Sequence, residues 1–405
     1  AEGDGAGLTE ALIQDARLLR SRGRYAESIE RLDRALPRLM PEDLRERFDF
    51  SLEKSFALVL AGKFAESEAV LNEALGAAEV ENDGYLTANF AEALSNLYFL
   101  KGDYARALEM YHRAVGASQE PVLTGYYMRD SVALIYRDWG ELDRAYEHAT
   151  RSIAVKEKLG SVEVLPYAYY QLACIQVDRG DLPQAEECFR RSIRIARESG
   201  GEQVFLIMST AMLAKLLLAS NRLTEARGLA EESLAMSRTQ SEYVSAFAKE
   251  MAAPVLMQTG DPGEAVRMLF ESAAVLERIG AKYPLCIACG VLAKLCAAKG
   301  DAAAAAGYAR KCLELAGREN YIQIFLSSYA LFQPVLRFGL ATGTAIAFVQ
   351  RVLARLGQNA LELLLETAAD PDPETRLRTI LPLAEIGGVQ DRKSTRLNSS
   401  HGIIS

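Results

Sequence analysis

Small and bulky positions recur along this chain with a fixed beat, punctuated by a residue that tolerates a tight turn. Taking that residue as a ruler gives Gly23, Gly62, Gly102, Gly140, Gly180, Asn221, Gly260 and Gly300, at steps of 39, 40, 38, 40, 41, 39 and 40 residues. Two places beyond each turn stands Tyr25, Phe64, Tyr104, Leu142, Leu182, Leu223, Pro262 or Ala302. Five places beyond it the residue is always small: Ser28, Ser67, Ala107, Ala145, Ala185, Ala226, Ala265 and Ala305. Twelve beyond it is small again: Ala35, Ala74, Ala114, Ser152, Ser192, Ser233, Ser272 and Cys312. In the phrase from Gly102 to Ala114, Tyr104, Ala107, Tyr111 and Ala114 fall on one face at helical spacing. Glycine and asparagine accept the left-handed backbone of a short inter-helix turn, and small residues let the two helices of a pair approach closely.

Each period therefore predicts a helix, a turn and a second helix. The pairs are expected over 8–36, 46–76, 84–116, 124–155 and 164–198, followed by a sixth at Asn221, a seventh and an eighth. Glu81-Asn82-Asp83 reads as a polar loop, and Gly200-Gly201 as a helix stop. In the seventh pair Asp261-Pro262-Gly263 makes a stiffer turn. In the eighth, the run Ala302–Ala306 predicts a thin, closely packed pair. After Gly317 the ruler fails. Tyr321–Phe338, Thr344–Leu356 and Asn359–Ala368 read as three further helices, and Asp370-Pro371-Asp372-Pro373-Glu374 opens a last one, with Asp372 as its cap.

The Gly-x-aromatic-x-x-Ala phrase resembles the tetratricopeptide repeat (TPR), whose common form has a period of about 34 residues. A period near 40 also fits HEAT or armadillo repeats, but their motif lacks this phrase. The long-period form is similar to the TPR region of MalT-like regulators, large bacterial transcription activators with a signalling ATPase module upstream. The resemblance spans roughly residues 8 to 318. It implies an all-α fold: a right-handed superhelical α-solenoid of about eight helix pairs over 1–318, with a short helical extension over 319–390. One stretch of that extension, Asp370 to Gly387, resembles a single HEAT-like unit; it reads either as a cap closing the solenoid core or as a coupling element to a further domain.

The resemblance also implies where a ligand would sit. In TPR proteins the first helix of each pair lines the concave wall. Carried onto this chain, its exposed side would hold Asn89, Glu92 and Asn96 in the third repeat, Tyr127, Asp130 and Arg137 in the fourth, and Tyr167 and Tyr170 in the fifth. These residue types suit peptides or small polar ligands, although the tyrosines also suit packing between repeats. The densest cluster is Tyr126, Tyr127, Tyr136, Tyr167, Tyr169 and Tyr170.

Composition agrees with a helical repeat protein: half the residues are apolar and a quarter charged. No apolar run reaches the ~18 residues that span a bilayer, and residues 1 to 10 lack the pattern of a signal peptide. The start at Ala1-Glu2-Gly3 suggests a piece of something longer. The stretch from Asp391 to His401 has no helical period and resembles an in-frame translated sequencing-library adapter, so residues 391–405 are expected to be a non-native tail. Leaving out its three bases and one acid takes the net charge from −8 to about −10. An acidic chain without a basic stripe is poorly suited to phosphate backbones, which argues against direct nucleic-acid binding.

Catalytic chemistry is not visible. His112 and His148 sit on second helices of different repeats, beside Tyr111 and Ala149, with no base–nucleophile arrangement. Cys286-Ile287-Ala288-Cys289 has a redox or half-zinc spacing, but it lies within a helix, without a second such pair or a nearby His. With Cys174, Cys188, Cys296 and Cys312 it reads as buried apolar cysteine, and free thiols favour a reducing, cytoplasmic setting. No phosphate-binding glycine loop is present, and no cofactor or metal is expected. The expectation is a non-catalytic scaffold that binds a protein, a peptide or a small-molecule inducer on its concave face. It would be the sensor arm of a larger MalT-like regulator, or alternatively a stand-alone adaptor for peptide segments.

Overall fold

The structure, a computed structural model, describes residues 3–38, 44–117, 125–199, 203–384 and 386. The described residues form helices joined by short turns, with no strand among them. Eight pairs follow the ruler: α1 (Gly3–Ser21) with α2 (Tyr25–Ala35), α3 (Leu44–Leu60) with α4 (Phe64–Val80), α5 (Gly84–Lys101) with α6 (Tyr104–Ala117), and α7 (Gly125–Asp138) with α8 (Leu142–Lys158). Then come α9 (Leu165–Arg179) with α10 (Leu182–Ser199), α11 (Gln203–Ala219) with α12 (Leu223–Ser237), α13 (Glu242–Thr259) with α14 (Pro262–Ile279), and α15 (Lys282–Ala298) with α16 (Ala302–Glu319). Gly200 and Gly201 lie outside the described residues. Seven of the eight turn residues have positive φ, from 58° at Asn221 to 82° at Gly180 and Gly300. Gly260 departs from the rule, with φ −138°. There the turn is made by Asp261, whose carboxylate accepts from the Gly263 and Glu264 amides and caps α14.

The two rows of small residues turn out to be crossing points. Near the turn, the position seven before it meets the position five after it: Ser28 Oγ donates to the Ala16 carbonyl at 2.8 Å, and Ser95 Oγ to the Ala107 carbonyl at 2.7 Å. Far from the turn, the position fourteen before meets the position twelve after. Ser192 Oγ donates to the Pro166 carbonyl (2.6 Å), Ser272 Oγ to that of Ala246 (2.8 Å), and Cys286 Sγ to that of Cys312 (3.4 Å). A side chain of one or two heavy atoms brings one helix against the backbone of its partner, and a hydroxyl buried there needs that carbonyl. Ala74 and Ala305 are the half-buried exceptions. In the alanine run after Gly300, Ala302 and Ala303 are exposed, and burial resumes only at Ala309.

First and second helices bury themselves differently. The buried positions of α10 are Ala185, Cys188, Phe189, Ser192, Ile193 and Ala196, one stripe at spacings of three and four. Those of α11 run all round: Val204, Ile207, Ser209, Thr210, Ala211, Leu213, Ala214, Leu216 and Leu217. First helices thus form the enclosed layer and second helices the outer one.

The chain divides into two compact units, residues 1–137 with 141–284, and residues 138–140 with 285–405. The period ends near 318, whereas this division follows packing. Within the first unit, the turns of early repeats touch loops about five repeats later. Tyr25 Oη donates to Gln240 Oε1 at 2.8 Å, Phe64 meets Tyr243 edge-on at 5.7 Å, and Lys282 Nζ lies 3.7 Å from Asp103 Oδ2.

Within the second unit, Trp139 Nε1 donates to the Glu319 carbonyl and Arg355 Nη1 to the Trp139 carbonyl, both at 3.0 Å. The single helix expected over Tyr321–Phe338 is instead two, α17 (Gln323–Ser327) and α18 (Tyr329–Thr342), broken at Ser328 with φ −131° and ψ 40°. An unbroken helix would separate residues 325 and 332 by about 10 Å along its axis; the break brings the Phe325 and Phe332 rings to 4.8 Å. Pro334 has no N–H to bond the Ala330 carbonyl, which accepts from Lys294 Nζ at 2.9 Å instead. The helices α19 (Ile346–Leu356) and α20 (Leu361–Ala368) follow, and a last helix, α21, covers 373–384. As expected, Asp372 caps it, accepting from the Thr375 amide at 3.0 Å.

Two glycines give a paired test of this packing. A Cβ on Gly290 of α15 would stand 2.1 Å from the Phe332 ring, whereas one on Gly307 of α16 would meet nothing within 4 Å. Gly290→Ala is expected to cost about 1–3 kcal/mol through overpacking. Gly307→Ala, in an exposed helix interior, is expected to add about 0.5–1 kcal/mol. Denaturant unfolding of both variants checks the contrast.

Candidate functional site

Within the first unit the inner helices enclose a cavity of about 480 Å³. One wall comes from the C-terminal halves of early first helices: Arg17, Leu18 and Arg20 on α1, Glu53, Phe56 and Leu60 on α3, and Asn96 and Leu100 on α5. The opposite wall comes from the N-terminal halves of later ones: Tyr167 on α9, Val204, Phe205 and Met208 on α11, and Tyr243 on α13. Two segments some 150 residues apart in sequence therefore share one lining, and it comes from the first helices of their pairs apart from Glu163 and Val164, just before α9, and Ser199 at the end of α10.

The early wall carries charge. Glu53, 6 % exposed, accepts from Arg17 Nε at 2.9 Å and from Arg20 Nε at 3.1 Å, which satisfies a carboxylate that burial would otherwise penalise. The Arg20 guanidinium also lies 5.6 Å from the Phe56 ring centroid. The later wall is aromatic and apolar. Tyr167 stacks on Phe205 at 4.8 Å and on Tyr170 at 6.1 Å. The Asn96 amide oxygen accepts from Ser131 Oγ at 2.9 Å.

Beyond the cavity, the same inner faces hold a set of buried charges. Arg137 Nε donates to Asp178 Oδ2 at 2.5 Å. Glu250, 2 % exposed, has no hydrogen-bond partner for either carboxylate oxygen. Burial pushes its carboxyl up to about 8, with the charge of Lys215 pulling the other way; burial lowers the Lys215 ammonium in turn.

The residues expected on the concave face do not share one environment. Asn96 and Tyr167 line the cavity. Asn89 is half-buried, its amide donating to the Tyr85 carbonyl of its own helix at 2.7 Å. Arg137 faces Asp178. Glu92 and Tyr170 are buried, at 5 % and 7 % exposure, rather than on an exposed side; Tyr170 packs against Tyr167 and Phe189. Tyr127 and Asp130 belong to α7, but their side chains, like that of Tyr126, lie outside the described residues. The tyrosine cluster divides between faces. Tyr167 and Tyr170 stack together, whereas Tyr169 donates to Glu157 under Arg191, and Tyr136 lies beneath Arg144 and beside His148.

Sequence reasoning missed Arg17, Arg20, Glu53, Phe205, Met208 and Tyr243. The register that selected the others contains half of them, Arg17, Arg20 and Met208. Arg17 and Asn96 both stand six before a turn, Arg20 and Arg137 three before, and Met208, Tyr167, Tyr127 and Asn89 thirteen before. Glu92, Asp130, Tyr170 and Glu250 all stand ten before. All six cysteines are buried thiols outside any disulfide, with Cys286 Sγ 3.7 Å from Cys312 Sγ. Among the described residues no three His, Cys, Asp or Glu gather as a metal site, and no helix is long and apolar enough to cross a membrane.

With eight helix pairs at this period and their first helices turned inward, the family can be compared directly. The model of the MalT-like TPR region matches residues 9–170 and 157–363. The chain belongs to that family. No curated protein matches this MalT-like TPR chain in sequence. Among solved structures, it is similar to the Rap protein complexed with Competence and Sporulation Factor, at 14 % identity and TM-score 0.53, over 85 % of this chain and 99 % of that one. It is also similar to NprR in complex with its cognate peptide NprX, at 12 % identity and TM-score 0.52, over 82 % and 98 %. At these identities the likeness is one of fold.

Glu250 gives this MalT-like solenoid a pH signature. A carboxyl that holds its proton more tightly folded than unfolded contributes stability that is full below the ordinary value of 4.5 and is lost as pH rises through about 8. Wild type is therefore expected to lose stability relative to Glu250→Gln across that window, by a few kcal/mol. Unfolding both proteins from pH 4 to 9 and taking the difference largely sets aside Lys215, which titrates in both. A flat difference would show that Glu250 does not hold a proton there.

Proposed function

We propose that this chain is a non-catalytic sensing scaffold that takes a peptide segment or a small-molecule inducer in the cavity between its inner helices, as the sensor arm of a larger MalT-like cytoplasmic regulator. One observation carries the reading: first helices of six repeats, from two separated stretches, converge on one cavity that is apolar and aromatic on one wall and charged on the other. Such a lining suits a ligand with an apolar body and a few polar groups to fix its orientation. The volume of about 480 Å³ is in the range of small-molecule and short-peptide pockets. That the Rap and NprR structures named above were solved as complexes, one of them with a cognate peptide, supports a peptide.

In this reading Asn96, Tyr167 and Phe205 contact the ligand, with Arg17 and Arg20 held in place by Glu53. Arg137 and Tyr170 shape the wall behind them, while Asn89 and Glu92 extend the same inner surface. Acidic net charge and the absence of a basic stripe assign any nucleic-acid contact to other parts of such a regulator.

A thermal-shift screen of short peptides and small amphipathic molecules tests the proposal. A ligand at about 100 times its Kd is expected to add about 2.7 kcal/mol of stability. Met208→Trp, which fills the cavity with a larger apolar side chain, is expected to abolish the shift while the variant stays folded. A shift that survives Met208→Trp would place the ligand elsewhere. Capture of protein tails with no response to any small ligand or short peptide would favour the adaptor.

A further inference from the structure

The cavity has two walls, and the covalent path between them is long, so something must hold them at a fixed distance. Three sets of contacts in the first unit do this. At the first repeat, Tyr25 Oη donates to Gln240 Oε1 (2.8 Å), and Gln240 Nε2 donates to Gln203 Oε1 (2.8 Å). Gly23 leaves room for that amide, since a Cβ there would stand 2.3 Å from Gln240 Nε2. At the second repeat, Phe64 packs edge-on against Tyr243, and Leu60 rests on the cluster of Val204, Ile207, Val244 and Ala248. At the third, Asp103 faces Lys282 (3.7 Å), and the ring of Tyr104 lies 6.4 Å from that of Tyr283.

These three sets share a geometry. The intra-repeat turns of repeats one to three, at Gly23, Gly62 and Gly102, meet the loops at 238–243 and 279–283. The offsets of about 180 to 215 residues amount to roughly four and a half to five and a half periods, so three successive turns meet two successive inter-repeat loops. Tyr243 belongs to both features: it lines the cavity and packs against Phe64.

We propose that these contacts are a clasp whose closure forms the cavity, so that a ligand touching both walls holds the clasp shut. This rests on the cavity being the ligand site. Apart from the apolar seat of Leu60, the contacts are of exchangeable kinds: a neutral hydrogen-bond chain, ring edges and a partly exposed ion pair. The early repeats keep a core of their own in Ile13, Ala16, Leu32, Ala35 and Phe50. Opening the clasp therefore leaves the helix pairs intact while it parts the walls. A ligand bridging the walls gains its full contacts only in the closed form, and by linkage it shifts the population toward closure.

Two experiments on the whole chain test the clasp. The first traps closure without any ligand. The ideal Cβ of Gly62 is 3.6 Å from Tyr243 Cβ, within the ~3.5–4.5 Å that a disulfide spans. The double variant Gly62→Cys with Tyr243→Cys places a cysteine at a left-handed turn position, so it is expected to lose about 1–2 kcal/mol of stability. In its folded form it is expected to cross-link under oxidised glutathione, two thiols giving up two protons and two electrons to the glutathione disulfide. The native cysteines are all buried and should stay reduced. A folded double variant that does not cross-link overturns the clasp.

The second experiment opens it at positions outside the cavity lining. Tyr25→Phe with Gln240→Ala is expected to enlarge the maximum dimension in small-angle scattering with helicity unchanged, and to weaken binding of the apolar probe anilinonaphthalene sulfonate about tenfold. Unchanged dimensions or unchanged probe affinity overturn the proposal. Cross-linking of the double variant together with a wild-type chain that binds no probe overturns instead the cavity reading, and the coupling with it.

Discussion

Everything in this molecule depends on how closely the two helices of a pair can cross. Two small residues on the second helix, five and twelve places after the turn, set that distance, and hydroxyls at the crossings reach the facing backbone, as Ser28 does at Ala16 and Ser192 at Pro166. The left-handed turn residue is the other half of the constraint. It reverses the chain in two or three residues, so that the crossing falls at the same place in each pair. Repetition of one local geometry, rather than a large central core, then produces the solenoid.

A consequence is the unequal burial of the two layers. Second helices such as α10 show water one side and can be amphipathic, whereas first helices such as α11 are enclosed nearly all round. A charged residue on a first helix therefore has few places to go, and it pairs or changes protonation. Glu53 pairs with two arginines, Arg137 with Asp178, and Glu250 keeps its proton to a higher pH. The polar groups of the inner surface are costly for a structure that needs only to stand up; Glu53 and its two arginines line the cavity, and the others lie beyond it on the same inner faces.

How much of this was legible in the sequence follows from which interactions are local. The eight turns, the helix pairs and the cap at Asp372 were readable because each is decided within about a dozen residues. Ser328 was not, because the break there serves a contact between the Phe325 and Phe332 rings that no periodicity shows. Gly260 keeps the ruler's spacing without the left-handed backbone, and the stiffer turn expected at Asp261-Pro262-Gly263 is there, with Asp261 capping the helix that follows. For the site, the register named Asn96 and Tyr167 but stopped at the third to fifth repeats. The partners across the cavity, Arg17 and Phe205 among them, come from repeats brought together only by the summed rotation of the solenoid, and one sequence does not reveal that sum. Glu92 and Tyr170 share a register, ten places before the turn, and both are buried, since neighbouring helices close the space at that level.

The central claim is that the inner cavity, and not the outer layer of second helices, receives the ligand. The most direct measurement is a crystal structure of the chain with whichever ligand stabilises it most. The account predicts density between the aromatic wall at Tyr167 and Phe205 and the charged wall at Arg17 and Glu53, with contacts to both. Ordered ligand confined to the outer helices, with the cavity lining unchanged from the free chain, would contradict it.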